Sequence, residues 1–285
     1  MSSQYTDKVV VITGAGGGIG KAAAARFLSE GARVVLSNTR LEKLQAAQAE
    51  LDPTGERTAL HAGRIATREA GRALIETALE RFGGVDVLVN STGIFRPSPF
   101  EEQTDEHMEE ALGSILLPTF WASQAAVAPM RERGGGAIVN VGSMWAVDAI
   151  ATTPTSAYSA AQAGRHALTK NLALELAAEN IRVNTVALAF VETPAYERFM
   201  TPEEAQGVLD AVNGFHPLGR RGQPQDLAEA ILFLAGVDAG WITDTTLPVG
   251  RRRAGRPQPG AAAPSPRERE CRGRRRRFAE SCACS

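Results

Sequence analysis

The chain has 285 residues, 44% of them hydrophobic and 22% charged, enough for one large α/β domain or two smaller ones around a sizeable core. Its three cysteines all lie within residues 251–285, which excludes a disulfide framework or a thiolate metal site from the preceding 250 residues. The polar start lacks the apolar segment of a signal peptide, and we expect no apolar run to reach the length that spans a membrane. We therefore expect a cytoplasmic protein with no bound metal and no membrane partner.

Residues 9–20 combine a strand with a glycine-rich turn. Four β-branched residues, Val9 to Ile12, lead into a turn with five glycines in seven positions, and Lys21–Leu28 follows as a helix. A helix N-terminus has unpaired N–H groups and partial positive charge, and glycine lets a ligand approach the backbone. An ordinary βα turn is the alternative, but it does not need five glycines. The pattern predicts a pyrophosphate site made by Gly14, Gly16, Gly17, Gly18, Ile19 and Gly20.

Strands and helices alternate along the rest of the first 250 residues. The predicted strands are Arg33–Ser37, Thr58–Ala62, Val85–Asn90, Ala137–Val141, Ile181–Val186 and Ile242–Leu247. The predicted helices are Leu41–Leu51, Arg68–Phe82, Asp105–Arg133, Tyr158–Glu179 and Asp226–Ala235. This alternation predicts one doubly wound Rossmann-type α/β domain over residues 1–250, with a mainly parallel sheet of about seven strands flanked by helices. The ligand of such a sheet lies at the carboxyl ends of its strands.

Several motifs occur in a fixed order along this domain, namely Thr13–Gly20, Asp86–Gly93, Ile138–Ser143, Tyr158–Gln162, Ile181–Asn184 and Pro217–Arg220. Over about residues 6–249 they resemble the classical short-chain dehydrogenase/reductase family. The resemblance implies hydride transfer between NAD or NADP and a substrate carbon. It makes Tyr158 the group that gives or takes the proton of the substrate oxygen, and Ser143 the hydrogen-bond partner of that oxygen. Considered alone, Ser143 would be interpreted as a strand-end serine and Tyr158 as a core tyrosine.

The chain departs from the family pattern at catalytic and cofactor positions. Gln162 stands where the family has a lysine, four residues after the tyrosine and on the same helix face. Glutamine keeps hydrogen bonds to a ribose but supplies no charge to lower the pKa of Tyr158. His166 and Lys170 share this face and are expected to be too distant to replace the lysine. Further departures are Arg64, Thr92, Ile115 (or Gly113 if the register slips), Leu188-Ala189 and Asp244.

These departures leave two hypotheses open. One is an oxidoreductase with impaired activity, in which Ser143, Tyr158 and Gln162 form the catalytic set. The other is an inactive nucleotide-binding pseudoenzyme that acts through protein–protein interaction. The fold signals do not separate them, because hydrophobic strands, helix periodicity and turn glycines agree with one another in both cases.

The residues just after the second strand determine whether such a domain binds NAD or NADP. A carboxylate there accepts from the ribose 2′-hydroxyl, whereas a cation accommodates a 2′-phosphate. Asn38 stands at the usual position of the acid, and Arg40 follows two residues later. The sequence therefore favours NADP, with NAD as the alternative, although Arg40 is also compatible with an ordinary solvated helix start. The resemblance adds four cofactor contacts, which are Asn90, Gly93, Tyr158 and Val191.

The substrate and the oligomeric state follow from the resemblance alone. It places the substrate against Phe95, Met144, Trp145, Phe190 and Tyr196. This apolar and aromatic set favours a small hydrophobic alcohol or ketone, and core packing is the alternative. Family members associate through their two long helices, here Asp105–Arg133 and Tyr158–Glu179, so we expect a homodimer or homotetramer.

Residues 251–285 differ from the rest of the chain. They hold eleven arginines and three acids in a sequence rich in proline and alanine without hydrophobic periodicity, so we expect disorder. Arg274–Arg277 could bind nucleic acid or another acidic surface, but solvated charge is the simpler interpretation and nucleic acid is not expected as a partner. The abrupt change of composition at a family-motif boundary also fits a shifted reading frame.

Overall fold

The computed structural model describes residues 4–150, 153–194, 196 and 200–250, so the predicted tail lies outside the described residues. Seven strands form one sheet in the order β3-β2-β1-β4-β5-β6-β7, and all neighbouring pairs are parallel. The strands are β1 (Val9–Thr13), β2 (Arg33–Asn38), β3 (Thr58–Ala62), β4 (Val87–Asn90), β5 (Gly136–Ser143), β6 (Ile181–Leu188) and β7 (Thr246–Val249). The expected doubly wound sheet is confirmed.

Eight α-helices accompany these strands in the described part of the chain. They are α1 (Gly18–Ser29), α2 (Leu41–Leu51), α3 (Arg68–Phe82), α4 (Asp105–Ala111), α5 (Leu117–Glu132), α6 (Ser156–Glu175), α7 (Pro202–Ala211) and α8 (Pro224–Ala235). Helix α6 ends four residues before the predicted Glu179, and a short 3-10 turn, Ala177–Glu179, follows it. Helix α7 was not predicted.

The sheet separates two hydrophobic layers, and alternate residues of β1 belong to each. Val10 lies in one layer with Phe27 of α1 and Leu227 of α8. Val11 lies in the other layer with Leu74 of α3. Because both faces of a parallel sheet are covered by helices, its strands are apolar throughout rather than alternating. This explains the unbroken hydrophobic run from Val9 to Ile12 in β1.

The last strand begins later than predicted, at Thr246 rather than Ile242. Asp244 has a φ of 62°, in the left-handed region, so the chain turns there instead of extending. Its N–H donates to the Val183 carbonyl at 3.0 Å, and the hydroxyl of Thr243 accepts from the Val183 N–H at 3.1 Å. This turn fixes the start of β7 against β6.

The long helix predicted over 105–133 consists of α4, a π-helical turn at Leu112–Leu116, and α5. By length and composition alone, Asp105–Glu132 could cross a membrane, so the expectation that no apolar run has this length was wrong. However, Ala122, Ala126 and Met130 are fully buried in the layer that α5 forms with α3 and the sheet. This burial is typical of a core helix.

Candidate active site

The carboxyl ends of the central strands open into one cleft of about 690 Å³. The glycine turn after β1 and the segment after β2 form one end of it, and the segment after β4 forms its floor. Tyr158 and Gln162 of α6 line it as well, together with Phe95 and Tyr196. The cleft thus lies where a doubly wound sheet binds its ligand.

The glycine turn has the shape of a phosphate cradle. A Cβ at Gly20 would lie 2.5 Å from the Gly14 carbonyl oxygen, so the start of α1 packs against the turn as only glycine allows. Gly18 has a φ of 53°, and the space around Gly17 is open. None of the described residues in the first turn of α1 is acidic. The residues present therefore fit the pyrophosphate of a dinucleotide at this helix N-terminus.

The three predicted catalytic side chains meet at the end of β5 and the start of α6. The Tyr158 phenol shares a hydrogen bond with the Ser143 hydroxyl and accepts one from Gln162 Nε2 at 3.1 Å. Burial raises the pKa of Tyr158, while both hydrogen bonds and the charge of Arg165 act in the opposite direction. Gln162 Oε1 is buried and has no hydrogen-bond partner in the described part of the chain. This orphaned acceptor suits a ribose hydroxyl.

Sequence reasoning missed Arg165, whose side chain is fully buried at this site. Its guanidinium donates hydrogen bonds to four neutral acceptors, which are Thr119 Oγ1 at 2.9 Å, Thr92 O at 2.7 Å, Ile115 O at 2.8 Å and Val141 O at 2.5 Å. Burial lowers its pKa to about 10, so the side chain stays charged at pH 7. The sequence offered one signal for Arg165, which is a charged residue on the buried face of α6, three residues after Gln162.

His166 lies nearer to the site than expected, but it brings no charge. Its Nε2 accepts from the Ser143 N–H at 3.3 Å, and a Cβ at Gly142 would lie 2.2 Å from that nitrogen. Burial, together with the charges of Arg165 and Lys170, lowers the pKa of His166 to about 4. His166 is therefore neutral at pH 7 and supports the backbone of Ser143.

Aromatic side chains pack around Tyr158. Phe95 meets Tyr158 edge-on with ring centroids 5.1 Å apart, and it lies 5.6 Å from Trp145 and 6.4 Å from Tyr196. These four side chains line the cleft. Trp145 Nε1 is buried and has no hydrogen-bond partner among the described residues. The pocket therefore has apolar aromatic walls beside Tyr158.

Two residues predicted for the substrate pocket lie behind it instead. Met144 and Phe190 are each 5% exposed and are not among the side chains that line the cleft. Phe190 packs edge-on against Trp145 at 5.0 Å and against Phe215 at 5.2 Å. The core-packing alternative thus describes their position, and they support the pocket wall.

The nucleotide end of the cleft is rich in cations. Asn38 accepts from the Arg40 N–H at 3.1 Å, which shapes the turn after β2. The exposed Arg40 side chain lies 3.8 Å from Glu42. Lys43 also lines this end of the cleft, whereas the Arg64 guanidinium lies against Gly113 of the π-helical turn, and sequence reasoning had not assigned either of them to a phosphate. Positive side chains here are suited to an additional phosphate group.

Of the remaining predicted cofactor contacts, Gly93 and Val191 line the cleft and Asn90 does not. The Asn90 amide is completely buried below the cleft floor, where it donates to Ser123 Oγ at 3.1 Å and to Asn140 Oδ1 at 2.9 Å. Asn90 therefore joins β4 to β5 and α5 rather than facing a ligand.

A family model described as short chain dehydrogenase matches residues 8–204 of this chain. The chain belongs to the short-chain dehydrogenase family. Among curated short-chain dehydrogenases, it is 35% identical over 244 residues to cyclohexanol dehydrogenase from Acinetobacter sp. (strain SE19), covering 85% of this chain and 93% of that protein. It is 35% identical over 242 residues to the 3-oxoacyl-[acyl-carrier-protein] reductase FabG from Haemophilus influenzae, covering 85% and 96% of the two chains.

Solved structures of short-chain dehydrogenases with bound cofactor have the same fold. L-sorbose reductase from Gluconobacter frateurii, in complex with NADPH and L-sorbose, is 30% identical with a TM-score of 0.81 over 88% of this chain and 98% of that one. A 7α-hydroxysteroid dehydrogenase, in complex with NADH and 7-oxoglycochenodeoxycholic acid, is 32% identical with a TM-score of 0.79 over 90% and 97%. Of these two similar structures, one contains NADPH and the other NADH.

Proposed function

We propose that this protein is an NADP-preferring oxidoreductase that interconverts a carbonyl and a secondary alcohol on a small hydrophobic substrate, at a rate reduced by the absence of the family lysine. The observation that carries the proposal is the hydrogen-bonded set of Ser143, Tyr158 and Gln162 at the edge of the cleft. This set retains the proton donor and its two polar neighbours, whereas a pure binding module would need none of them.

Each residue has a distinct part in the proposed mechanism. The bound nicotinamide supplies or accepts the hydride. Tyr158 gives its phenolic proton to the substrate oxygen in reduction and takes it back in oxidation. Ser143 hydrogen-bonds the same oxygen and orients it. Gln162 holds the phenol through Nε2 and offers Oε1 to a ribose hydroxyl, but it carries no charge, so it does not itself lower the pKa of Tyr158 as a lysine would.

The choice of NADP rests on the cations at the nucleotide end. Arg40 and Lys43 line the cleft near Asn38, where we expect a 2′-phosphate. Asn38 stands at the usual position of the acid, and the described residues of β2 and of the turn after it include no carboxylate. L-sorbose reductase, one of the similar structures, is a complex with NADPH. NAD remains the alternative, since another similar structure contains NADH.

The substrate class rests on the pocket walls. Phe95, Trp145 and Tyr196 form an apolar aromatic surface beside Tyr158, which fits a cyclic or aryl ketone better than a sugar. The relative named cyclohexanol dehydrogenase is consistent with this class.

The test is turnover by the purified full-length chain with NADPH and NADH against cyclohexanone, an aryl ketone, a 3-oxoacyl thioester and L-sorbose. We expect the two apolar ketones to be reduced fastest, with NADPH preferred. Cofactor binding, measured by nicotinamide fluorescence, without turnover of any compound would support the pseudoenzyme instead. The aryl ketone and L-sorbose serve as a matched apolar and polar pair.

We also propose that the protein is a cytoplasmic homodimer or homotetramer that associates through its two long helices. Leu117 and Phe120 on α5 and Leu174 on α6 are exposed apolar side chains, and burying such residues stabilises an interface. Light scattering coupled to size exclusion tests this assembly. The expected result is two or four copies, and a single copy at micromolar concentration would contradict it.

A further inference from the structure

Arg165 is a buried cation without a counter-ion among the described residues. Its side chain is fully buried, and it makes no ion pair with any carboxylate of residues 4–150, 153–194, 196 and 200–250. All four of its hydrogen bonds go to neutral oxygens. Burying an unpaired charge is strongly unfavourable, even when most of its N–H groups are hydrogen-bonded. An anion that forms at the site would therefore stabilise this charge.

The geometry directs this charge towards the reacting phenol. Arg165 follows Tyr158 by seven residues, two turns along one face of α6, and helical side chains lean towards the N-terminus. Its Nη2 donates to Thr92 O, and a Cβ added at the next residue, Gly93, would lie 4.0 Å from Gln162 Nε2. The guanidinium thus lies below Gln162, which in turn hydrogen-bonds the phenol.

The π-helical turn supplies the other anchor of the guanidinium. Arg165 Nη2 also donates to the carbonyl of Ile115, inside this turn, and that carbonyl accepts a second hydrogen bond from Thr119 Oγ1 at 2.7 Å. π-Helical turns free carbonyls for interactions outside the helix. The charge is therefore fixed on both sides, by the floor of the cleft and by the helix that covers it.

We propose that Arg165 is a positioning residue that supplies, from inside α6, the positive charge that Gln162 lacks, and that it thereby stabilises the ionised form of the Tyr158 phenol. The proposal rests on the proposed function, since the ionised phenol is the base in alcohol oxidation. Coulombic attraction to Arg165 lowers the pKa of Tyr158 against the opposing effect of burial.

The other titratable groups around Tyr158 do not provide this charge. His166 on α6 has a pKa of about 4 and is neutral, and burial raises the pKa of Tyr196, so that it stays protonated. Arg96, beyond Phe95, forms an ion pair with Glu110 at 2.8 Å. Of the described groups around the phenol, Arg165 is thus the cation that can act on it.

The first test is an alkaline titration of the full chain, followed by tyrosinate absorbance. The chain has three tyrosines, so the step lost in Tyr158→Phe identifies Tyr158. We expect that step to move up by about one pH unit or more in Arg165→Gln and to stay in place in Arg165→Lys, which keeps the charge. Equal midpoints in the wild type and Arg165→Gln, or no Tyr158 step in the wild type before alkaline unfolding, would overturn the proposal.

The second test exploits repulsion between like charges. Gln162→Lys places a second cation beside Arg165, so we expect no gain in the rate of alcohol oxidation and a lower melting temperature. Combined with Arg165→Met, the same substitution should restore at least the wild-type rate, whereas Arg165→Met alone should lower it about tenfold or more at pH 7. A gain in rate from Gln162→Lys alone overturns the proposal, even if no neutral variant of Arg165 folds. Absence of turnover in the wild type would contradict the proposed function. The tyrosinate titration would still test whether Arg165 stabilises the ionised phenol.

Discussion

Gln162 uses one end of its amide to hold Tyr158 and leaves the other end unsatisfied. Its Nε2 donates to the phenolic oxygen at 3.1 Å, and its Oε1 is buried without a partner among the described residues. A buried acceptor without a hydrogen bond costs free energy that a ligand donor can recover. The residue thus connects the proton-transfer group to the position where a cofactor ribose is expected.

Replacement of Gln162 by leucine should weaken cofactor binding. The variant removes the acceptor offered to the ribose and leaves the cleft shape similar, so we expect the dissociation constant of NADPH to rise by about five- to twentyfold, equivalent to about 1 to 2 kcal/mol. Fluorescence titration of NADPH measures it. Gln206→Leu on the exposed face of α7 is the matched control and should leave the constant unchanged, and an equal effect of both variants would contradict the role of Gln162.

Cofactor preference should depend on the cations after β2. Alanine at both Arg40 and Lys43 removes two charges that line the nucleotide end, so NADPH should bind at least tenfold less tightly while NADH changes less than threefold. Arg72→Ala, on the exposed face of α3, provides the control. Equal losses for the two cofactors would show that these cations do not meet a 2′-phosphate.

Stability should fall on acidification through Asp86. Burial opposes ionisation of Asp86, but hydrogen bonds from the Val9 N–H, Arg133 and Lys8 outweigh it, and the pKa of Asp86 lies below its ordinary value. A carboxyl with a lowered folded-state pKa stabilises the fold above its unfolded pKa of about 3.9, and this contribution is lost as the pH falls further.

Asp86→Asn should therefore lower the free energy of unfolding at pH 7 by about 1 to 3 kcal/mol and flatten its dependence on pH below about 4. Urea unfolding at several pH values between 3 and 7 measures both effects. Parallel pH profiles for the wild type and the variant would contradict the prediction.

Glycine at position 244 should stabilise the protein. Asp244 adopts a φ of 62°, where a residue with a Cβ is strained by about 1 kcal/mol. We expect Asp244→Gly to raise the free energy of unfolding by up to about 1 kcal/mol, because glycine has no Cβ but loses more chain entropy on folding. Asp244→Ala keeps the strain and removes the carboxylate, so it should not stabilise. Denaturant unfolding measures the stability of both variants. Stabilisation by glycine alone indicates backbone strain, whereas equal stabilisation by both indicates an effect of the carboxylate.

Most of the fold follows from local sequence patterns. The strands and helices are set by hydrophobic periodicity and by glycines at turns, and these signals are strong in β1 and α1. The start of β7 was misplaced because Asp244 adopts a backbone conformation that its residue type only rarely adopts. The π-helical turn at Leu112–Leu116 was not foreseen, because it lies inside one long apolar helical segment.

Contacts in the site could be predicted only between residues that are close together in the sequence. Tyr158 and Gln162 share a helix face, so their contact follows from a separation of four residues. Arg165 bonds to residues from β5, the segment after β4 and the π-helical turn, and this environment depends on tertiary packing. Asn90 shows the same limit, since its place at the end of a strand does not reveal that its side chain is buried against Ser123 and Asn140.

The central claim is that Tyr158 drives carbonyl reduction in this cleft, and isotope transfer tests it most directly. NADPH deuterated at C4, in both stereoisomers, is incubated with the ketone that the wild type reduces best, and the alcohol is analysed by mass spectrometry. We predict deuterium in the alcohol from one stereoisomer only, and a rate about 10² to 10⁴ lower in Tyr158→Phe with NADPH affinity retained. Bound NADPH without deuterium transfer, or equal transfer by Tyr158→Phe, would contradict the account.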